Sequence, residues 1–456
     1  MIASPTTKPR VGSVYARAVK ADRNGTLGVA GRSLVFIMPL IAATNPVLPV
    51  LGPVSPLPLL ALFLFLTGLH QLGSHTGGGL SRGLVMTFAF CLLAVAGFTL
   101  TTKFGAPWAH NEAVAVTSGA LIVLAMCMIR LTKGVLRLLC NGWLVAFALT
   151  GIIAGVEITT GARVGESYLD INPFPSDLGV ASVFYNPNNY AAFLSMSLPL
   201  LTAGAVLARS RMLRRTYYFA LVAVAALMLA TNSRLGLAAM LLFGMVWALL
   251  RWRKVTTRFI AGALAALATI TIIAASNTGI GDYWDNTLYS VPILGFEIPV
   301  DASLLIRWNL AQNGFDLLST NPLLGAGPGG FEIWAQSNAA LRETFGIINP
   351  HNGVVEMISQ YGVPLFVLGV AVTLSLLGAA RRIYRRSAFG SADHTLAFSL
   401  LSAVAMLPIV VLMNSSYLEI LHTWAAFATF VAIACHLSAL NIIEASGKSD
   451  TCTMKE

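Results

Sequence analysis

The sequence is short of charge. Asp, Glu, Lys and Arg make up only 11% of its 456 residues, against about 25% in a soluble domain. Such a chain cannot build a water-facing surface for several hundred residues. The 56% hydrophobic content and the mean hydropathy of +0.75 agree. This excludes a cytosolic enzyme, a disordered chain and a secreted disulfide scaffold. Cysteine is scarce too. Cys91, Cys127, Cys140 and Cys435 lie in or beside apolar runs and Cys452 in the polar end, with no zinc or disulfide spacing. There is no Asp-x-Asp, and His70, His75, His110, His394, His422 and His436 show no metal-ligand spacing. The glycine-rich run 325–330 lacks the Gly-Lys-Ser/Thr ending of a phosphate-binding loop and reads as a tight turn. Residues 1–32 lack the early apolar core of a signal peptide, so they are expected to be a basic cytoplasmic tail.

What the chain does have is long apolar runs. A helix needs roughly 17–25 apolar residues to cross the hydrocarbon, and twelve candidates appear: 33–51, 55–72, 83–100, 113–129, 136–156, 188–208, 216–232, 235–251, 257–276, 353–379, 395–413 and 422–442. The expected fold is all-α: a polytopic transmembrane bundle of about 12 spans. Residues 33–442 form the membrane domain, and 443–456 are expected to be a cytoplasmic C-terminal tail.

Lys and Arg set the orientation, because they concentrate on the cytoplasmic side. With the N-terminus inside, 24 of the 29 basic residues fall on the inner side, and only Lys103, Arg163, Arg234, Arg307 and Arg342 fall outside. The net charge of +10 therefore reflects membrane topology. A nucleic-acid site would need a basic face on a soluble domain. Two outer loops are longer than a turn requires, about 157–187 and 277–352, and structureless loops of that length are usually functional. In the second, Leu304, Trp308, Ala311, Phe315 and Leu318 repeat with helical spacing. They predict an amphipathic helix on the membrane surface or across the mouth of the bundle.

Several residues of the outer face carry chemistry. Arg234 stands in Thr231-Asn232-Ser233-Arg234-Leu235-Gly236, between two spans. It either snorkels to headgroups or faces a cavity as an anion-binding cation. Arg307 lies in the amphipathic segment, either at its polar edge or as a second such cation. A guanidinium fork holds two phosphate oxygens together and stays charged at any working pH. His351, in Asn349-Pro350-His351-Asn352-Gly353, is either a polar residue near a helix N-cap, with Asn352 sharing that task, or a general base suited to neutral pH. Glu356 follows one turn later and can orient a partner or stabilise the helix N-terminus. The first outer turn, about residues 52–54, has no carboxylate, so a metal-free mechanism is favoured.

Taken together, these segments resemble the O-antigen ligase and O-antigen polymerase superfamily. The resemblance rests on four segments: Thr-Asn-Ser-Arg234-Leu-Gly; Arg307-Trp-Asn-Leu-Ala followed by Asn321-Pro-Leu-Leu-Gly-Ala-Gly-Pro-Gly-Gly-Phe331; Pro-His351-Asn-Gly-Val-Val-Glu356; and Phe184-Tyr-Asn-Pro-Asn188-Asn189-Tyr-Ala. It covers about 184–375; the earlier spans resemble the family only in number and hydropathy. Leu235 departs from it, since many relatives have Gly-Gly after the arginine. The resemblance implies an inverting, membrane-embedded glycosyltransferase of the GT-C type. Such an enzyme moves a glycan from undecaprenyl diphosphate to an acceptor hydroxyl in surface polysaccharide assembly, as polymerase or ligase, without cofactor or metal. It implies that Arg234 and Arg307 bind the diphosphate and His351 deprotonates the acceptor, with Glu356, Asn188 and Asn352 in support. It also implies a multi-pass protein of the bacterial inner membrane with an extracytoplasmic site. Its partners are the lipid-linked donor, a glycan or lipid acceptor and membrane lipids. Glycosylation of a protein hydroxyl is a related possibility. The alternative from another class is a transporter or flippase of a lipid-linked glycan or other solute. Transporters place ionisable groups midway through their spans, whereas here such groups cluster at the outer face.

Overall fold

The computed structural model describes residues 27–47, 56–72, 80–103, 106–164, 179–184, 186–251, 289–293, 296–300, 302–337, 342–414 and 416–452. Eight helices come first: α1 (Val29–Thr44), α2 (Pro56–Gln71), α3 (Leu80–Thr102), α4 (Pro107–Met128), α5 (Lys133–Thr160), α6 (Pro187–Leu207), α7 (Arg211–Ala230) and α8 (Arg234–Arg251). A hairpin of β1 (Tyr289–Ile293) and β2 (Phe296–Val300) follows, antiparallel with Ile293 opposite Phe296. Then come α9 (Ala302–Thr320), the short α10 (Gly330–Gln336), α11 (Gly353–Arg386), α12 (Ala392–Val410) and α13 (Leu421–Cys452).

Among the described residues, nine helices are long and apolar enough to cross a membrane, and Pro56–Gln71 and Arg234–Leu250 are shorter apolar helices. Eleven of the twelve expected spans thus coincide with apolar helices. The remaining one, 257–276, lies outside the described residues, as does the 277–288 part of the long loop 277–352. Local chemistry sets the boundaries. Thr132 caps α5 by accepting from the Val135 amide, and Asn186 caps α6 just before Pro187. Ser210 starts α7 early enough to take Arg211, Arg214 and Arg215 into the helix.

Buried residues run along almost all of α4 and α6, which form the centre with α13. Small residues allow close approach, as is usual in membrane helix packing. A Cβ on Gly142 of α5 would lie 2.0 Å from the Phe36 carbonyl oxygen of α1. At one end of the bundle, Lys133 pairs with Asp393 at 2.9 Å, Arg137 Nε donates to the Leu207 carbonyl at 2.7 Å, and Tyr384 Oη donates to the Leu250 carbonyl at 2.8 Å. The opposite end carries the starts of α6, α8, α11 and α13 and the end of α12.

The expected helix within the long loop is α9, but its packing face differs from the apolar stripe read in the sequence. Ile306, Leu310 and Leu317 are buried and form a small core with Phe331 of α10, whereas Leu304 and Phe315 are about half exposed. The segment is apolar on two sides, and packing against α11 claims the side that periodicity did not single out. The stripe is left half-covered, with Trp308, Ala311 and Leu318 only partly buried.

Candidate functional site

The sequence predicts α11 as one long span, and the structure breaks it at Gly362 (φ 79°, ψ 164°). Pro364 explains the break. It has no N–H to give the carbonyl of Gln360 four residues back, so that oxygen needs another donor. The glycine-rich loop supplies it. Gly327 N donates to the Gln360 carbonyl (2.8 Å), Ala326 N to the Ser359 carbonyl (2.9 Å), and Val363 N turns to the Pro322 carbonyl (3.0 Å). The run 321–330 is therefore more than a turn: its backbone replaces the missing helical bonds. The approach is so close that a Cβ on Gly325 would lie 2.4 Å from the Gln360 carbonyl carbon. Side chains lock the loop from outside. Lys103 Nζ donates to the Ala326 carbonyl, Glu112 Oε2 accepts from Gly329 N (2.6 Å) and Gln360 Oε1 accepts from Gly330 N (2.8 Å).

Asn352 caps α11 through the Val354 and Val355 amides. Gly353 N donates to the Val411 carbonyl (2.8 Å), and Arg307 Nη1 donates to the neighbouring Leu412 carbonyl (2.8 Å). One turn at the end of α12 thus holds both the start of α11 and the guanidinium from α9. His351 and Arg307 are brought together: burial, reinforced by the Arg307 charge, pushes the His351 pKa down to about 3. The ring is neutral at neutral pH, with a lone pair to accept a proton. His351 has a positive φ of 46°, a conformation that costs about 1–3 kcal/mol and tends to occur at functional sites.

Arg234 opens α8. In the turn before it, Ser233 Oγ donates to Asn188 Oδ1 (2.8 Å) and accepts from Gly236 N (3.2 Å), so Asn188 supports the arginine's turn. Val180 N donates to the Ala230 carbonyl, and Glu157 accepts from Ala181 and Ser182 while pairing with Arg163 at 3.3 Å. Asn232 (φ 51°) and Ser182 (φ 57°) are also left-handed. Because α8 packs on α12, Arg234 lies at the same end of the bundle as Leu412, Arg307 and His351.

Basic residues outside the topological bias bond within the protein, Arg307 to the Leu412 carbonyl as above and three more besides. Arg163 pairs with Glu157, Arg342 with Asp316, and Lys103 holds the loop. The Glu356 carboxyl group accepts from Tyr417 N (2.6 Å) and Leu418 N (2.9 Å), which fastens the segment before α13 to α11.

Sequence reasoning singled out Glu356 but missed the acids grouped with it. Glu112, Glu332, Glu356 and Glu419 interact electrostatically, and burial, with Glu112 next, pushes the Glu332 carboxyl well above its usual range. A signal was available: Glu112 abuts the apolar span 113–129, and an ionisable residue within a membrane span is a functional candidate by default.

Fold and site define a polytopic helical membrane protein with a histidine and two arginines gathered at one end of the bundle. Residues 219–370 match the O-antigen ligase family, which bears out the resemblance to the O-antigen ligase and polymerase superfamily. The matched segment contains Arg234, Arg307 and His351. It supports a glycosyltransferase-like role in polysaccharide assembly, with lipid-linked glycan and polysaccharide as partners in general. No curated protein matches the chain.

Proposed function

We propose that the protein is an inverting, metal-independent glycosyltransferase of the inner membrane that moves a glycan from undecaprenyl diphosphate to an acceptor hydroxyl. One observation carries the reading: adjacent carbonyls at the end of α12 hold the Arg307 guanidinium and the amide of Gly353, two residues after His351, and the Arg307 charge acts on the His351 ring. Arg234 and Arg307 bind the diphosphate. As the glycosidic bond breaks, charge grows on the leaving oxygens, so fixed guanidiniums stabilise the transition state more than the ground state. His351, neutral in the free protein, takes the acceptor's proton as its oxygen attacks the anomeric carbon opposite the leaving group. Diphosphate binding offsets the Arg307 charge and raises the basicity of His351 when a base is needed. Asn188 and Asn352 position the turns that carry Arg234 and His351. A small apolar recess between α6, α11, α12 and α13, lined by Met196, Leu376, Leu407 and Phe427 and reaching Tyr417, offers room for a short part of the prenyl chain. The Lys/Arg distribution supports cytoplasmic termini and an extracytoplasmic site in the domain layout 1–32, 33–442 and 443–456.

Reconstitution with purified lipid-linked glycan tests this. Arg234→Ala, Arg307→Ala and His351→Ala should insert normally yet leave the donor unconsumed; retained turnover in all three would refute the assignment. Long products indicate a polymerase, and transfer to an added acceptor a ligase. The broken α11 favours a second reading, since transporters expose unwound backbone to their cargo. Here the loop already pairs the carbonyls of Ser359 and Gln360, which favours catalysis. Movement of glycan across vesicles without transfer would reverse that choice.

A further inference from the structure

Folding joins two of the cysteines that the sequence sets far apart. Cys127, near the end of α4, and Cys435 of α13 are free thiols, and their side chains hydrogen-bond to each other. The helices that carry them also touch nearer their starts, where a Cβ on Gly119 of α4 would lie 2.1 Å from the Trp424 ring of α13. The thiols therefore meet in a seam closed at two levels. The pair lies at the Lys133 end of the bundle, since His436, next to Cys435, meets the Leu131 carbonyl through Nδ1 (2.7 Å). The two sulfurs differ in access: Cys127 is 2% exposed, whereas Cys435 is only partly buried. Arg82, at the start of α3, acts on both through its charge.

Two thiols in contact can help to bind a metal or be oxidised together. A zinc-type site takes three or four protein ligands, and among the described residues no three His, Cys, Asp or Glu side chains are placed to hold an ion. Oxidation needs only two. It asks the sulfurs to close from hydrogen-bond contact to about 2.05 Å. A hydrogen bond and a nearby cation both favour the thiolate, the form that attacks an oxidant. We propose that Cys127 and Cys435 are a reversible oxidation site, which hydrogen peroxide converts into a disulfide joining α4 to α13. Cys435, the accessible sulfur, attacks one peroxide oxygen. The O–O bond breaks, Cys435 becomes a sulfenic acid, and the other oxygen leaves as water with the Cys435 proton. Cys127 then attacks the Cys435 sulfur; the S–O bond breaks, and the hydroxyl leaves as water with the Cys127 proton. Two thiols are oxidised and one peroxide is reduced to two waters. A thiol reductant reverses the link by exchange. The disulfide ties α4, whose Glu112 holds the glycine-rich loop at Gly329, to α13. None of these steps involves a glycan, Arg234, Arg307 or His351, so the site is independent of the glycosyltransferase reading.

The test uses the full chain in proteoliposomes, reduced and then freed of reductant. It is exposed to hydrogen peroxide, and the remaining thiols are alkylated after denaturation. Peptide mass mapping should find Cys127 linked to Cys435, with equal loss of alkylation at both, and dithiothreitol should restore the two thiols. In Cys127→Ser the sulfenic acid on Cys435 has no second thiol to meet, so dimedone should trap it there. In Cys435→Ser the buried Cys127 should stay reduced; dimedone on Cys127 instead would overturn the assigned order of attack. The wild-type map decides the pairing even if a variant fails to insert. Both thiols left intact, Cys435 oxidised without a link, or a link to Cys91, Cys140 or Cys452 would each overturn it.

Discussion

Replacing Gly362 by alanine should detach the glycine-rich loop from α11. The φ of 79° with ψ of 164° is open essentially to glycine alone. A Cβ there would lie 2.2 Å from the Leu323 carbonyl oxygen and 2.6 Å from its carbon. Both obstacles are backbone, so no side chain can rotate away. Relief requires the loop to move, which gives up the Val363–Pro322, Ala326–Ser359 and Gly327–Gln360 bonds, each about 0.5–1.5 kcal/mol net. Losing two or three of them lowers the local opening free energy by about 3 kcal/mol, so amide exchange there should accelerate roughly a hundredfold. Hydrogen exchange on the solubilised protein reads this directly. The amides of Ala326, Gly327 and Gly330 should lose protection while those in the middle of α4 and α6 keep theirs. If the loop amides of Gly362→Ala stayed as protected as in the parent protein, the account of the break would be wrong. Glycan transfer should fall about a hundredfold as well, since small displacements of positioning groups cost that much.

Three further outcomes are expected. Arg307→Lys keeps the charge but loses the fixed fork that reaches the Leu412 carbonyl, so turnover with lipid-linked glycan should drop by about 10²; near-normal turnover would show that charge alone suffices. The depressed pKa of His351 keeps its ring neutral above about 3, so kcat/KM should show no acid limb at the ordinary histidine value near 6.5. Activity should be lost only as pH falls through the lowered value, and the limb in kcat should lie higher because bound diphosphate offsets Arg307. A free-enzyme inflection near 6.5 contradicts this. Glu356→Gln sets an NH₂ in place of one of the two oxygens that accept from the Tyr417 and Leu418 amides, which costs about 1–3 kcal/mol for the amide left unpaired. It should lower Tm by several degrees, and an unchanged Tm would remove its clamping role.

Much of the scaffold was legible because membrane physics writes it locally. Apolar length marks the spans, and the helical spacing of Leu304 to Leu318 announced α9, though not the side that packs. The three candidates were legible as exceptions, with two cations on the wrong side of the topological bias and a histidine at a re-entry point. What escaped depends on partners far apart in sequence. Glu112 meets Gly329, Gln360 meets Gly330 and Arg307 meets Leu412 only after folding. The Gly362-x-Pro364 pattern hinted at a break in α11, but nothing local said which segment would fill it.

The loop 321–330 and the span it completes form one structural unit. Neither can be exchanged alone between related proteins, because each supplies hydrogen-bonding partners that the other lacks. Chimeras built to transfer substrate preference should therefore cut before Asn321 and beyond Pro364; a crossover between those points would separate a helix from its own missing turn.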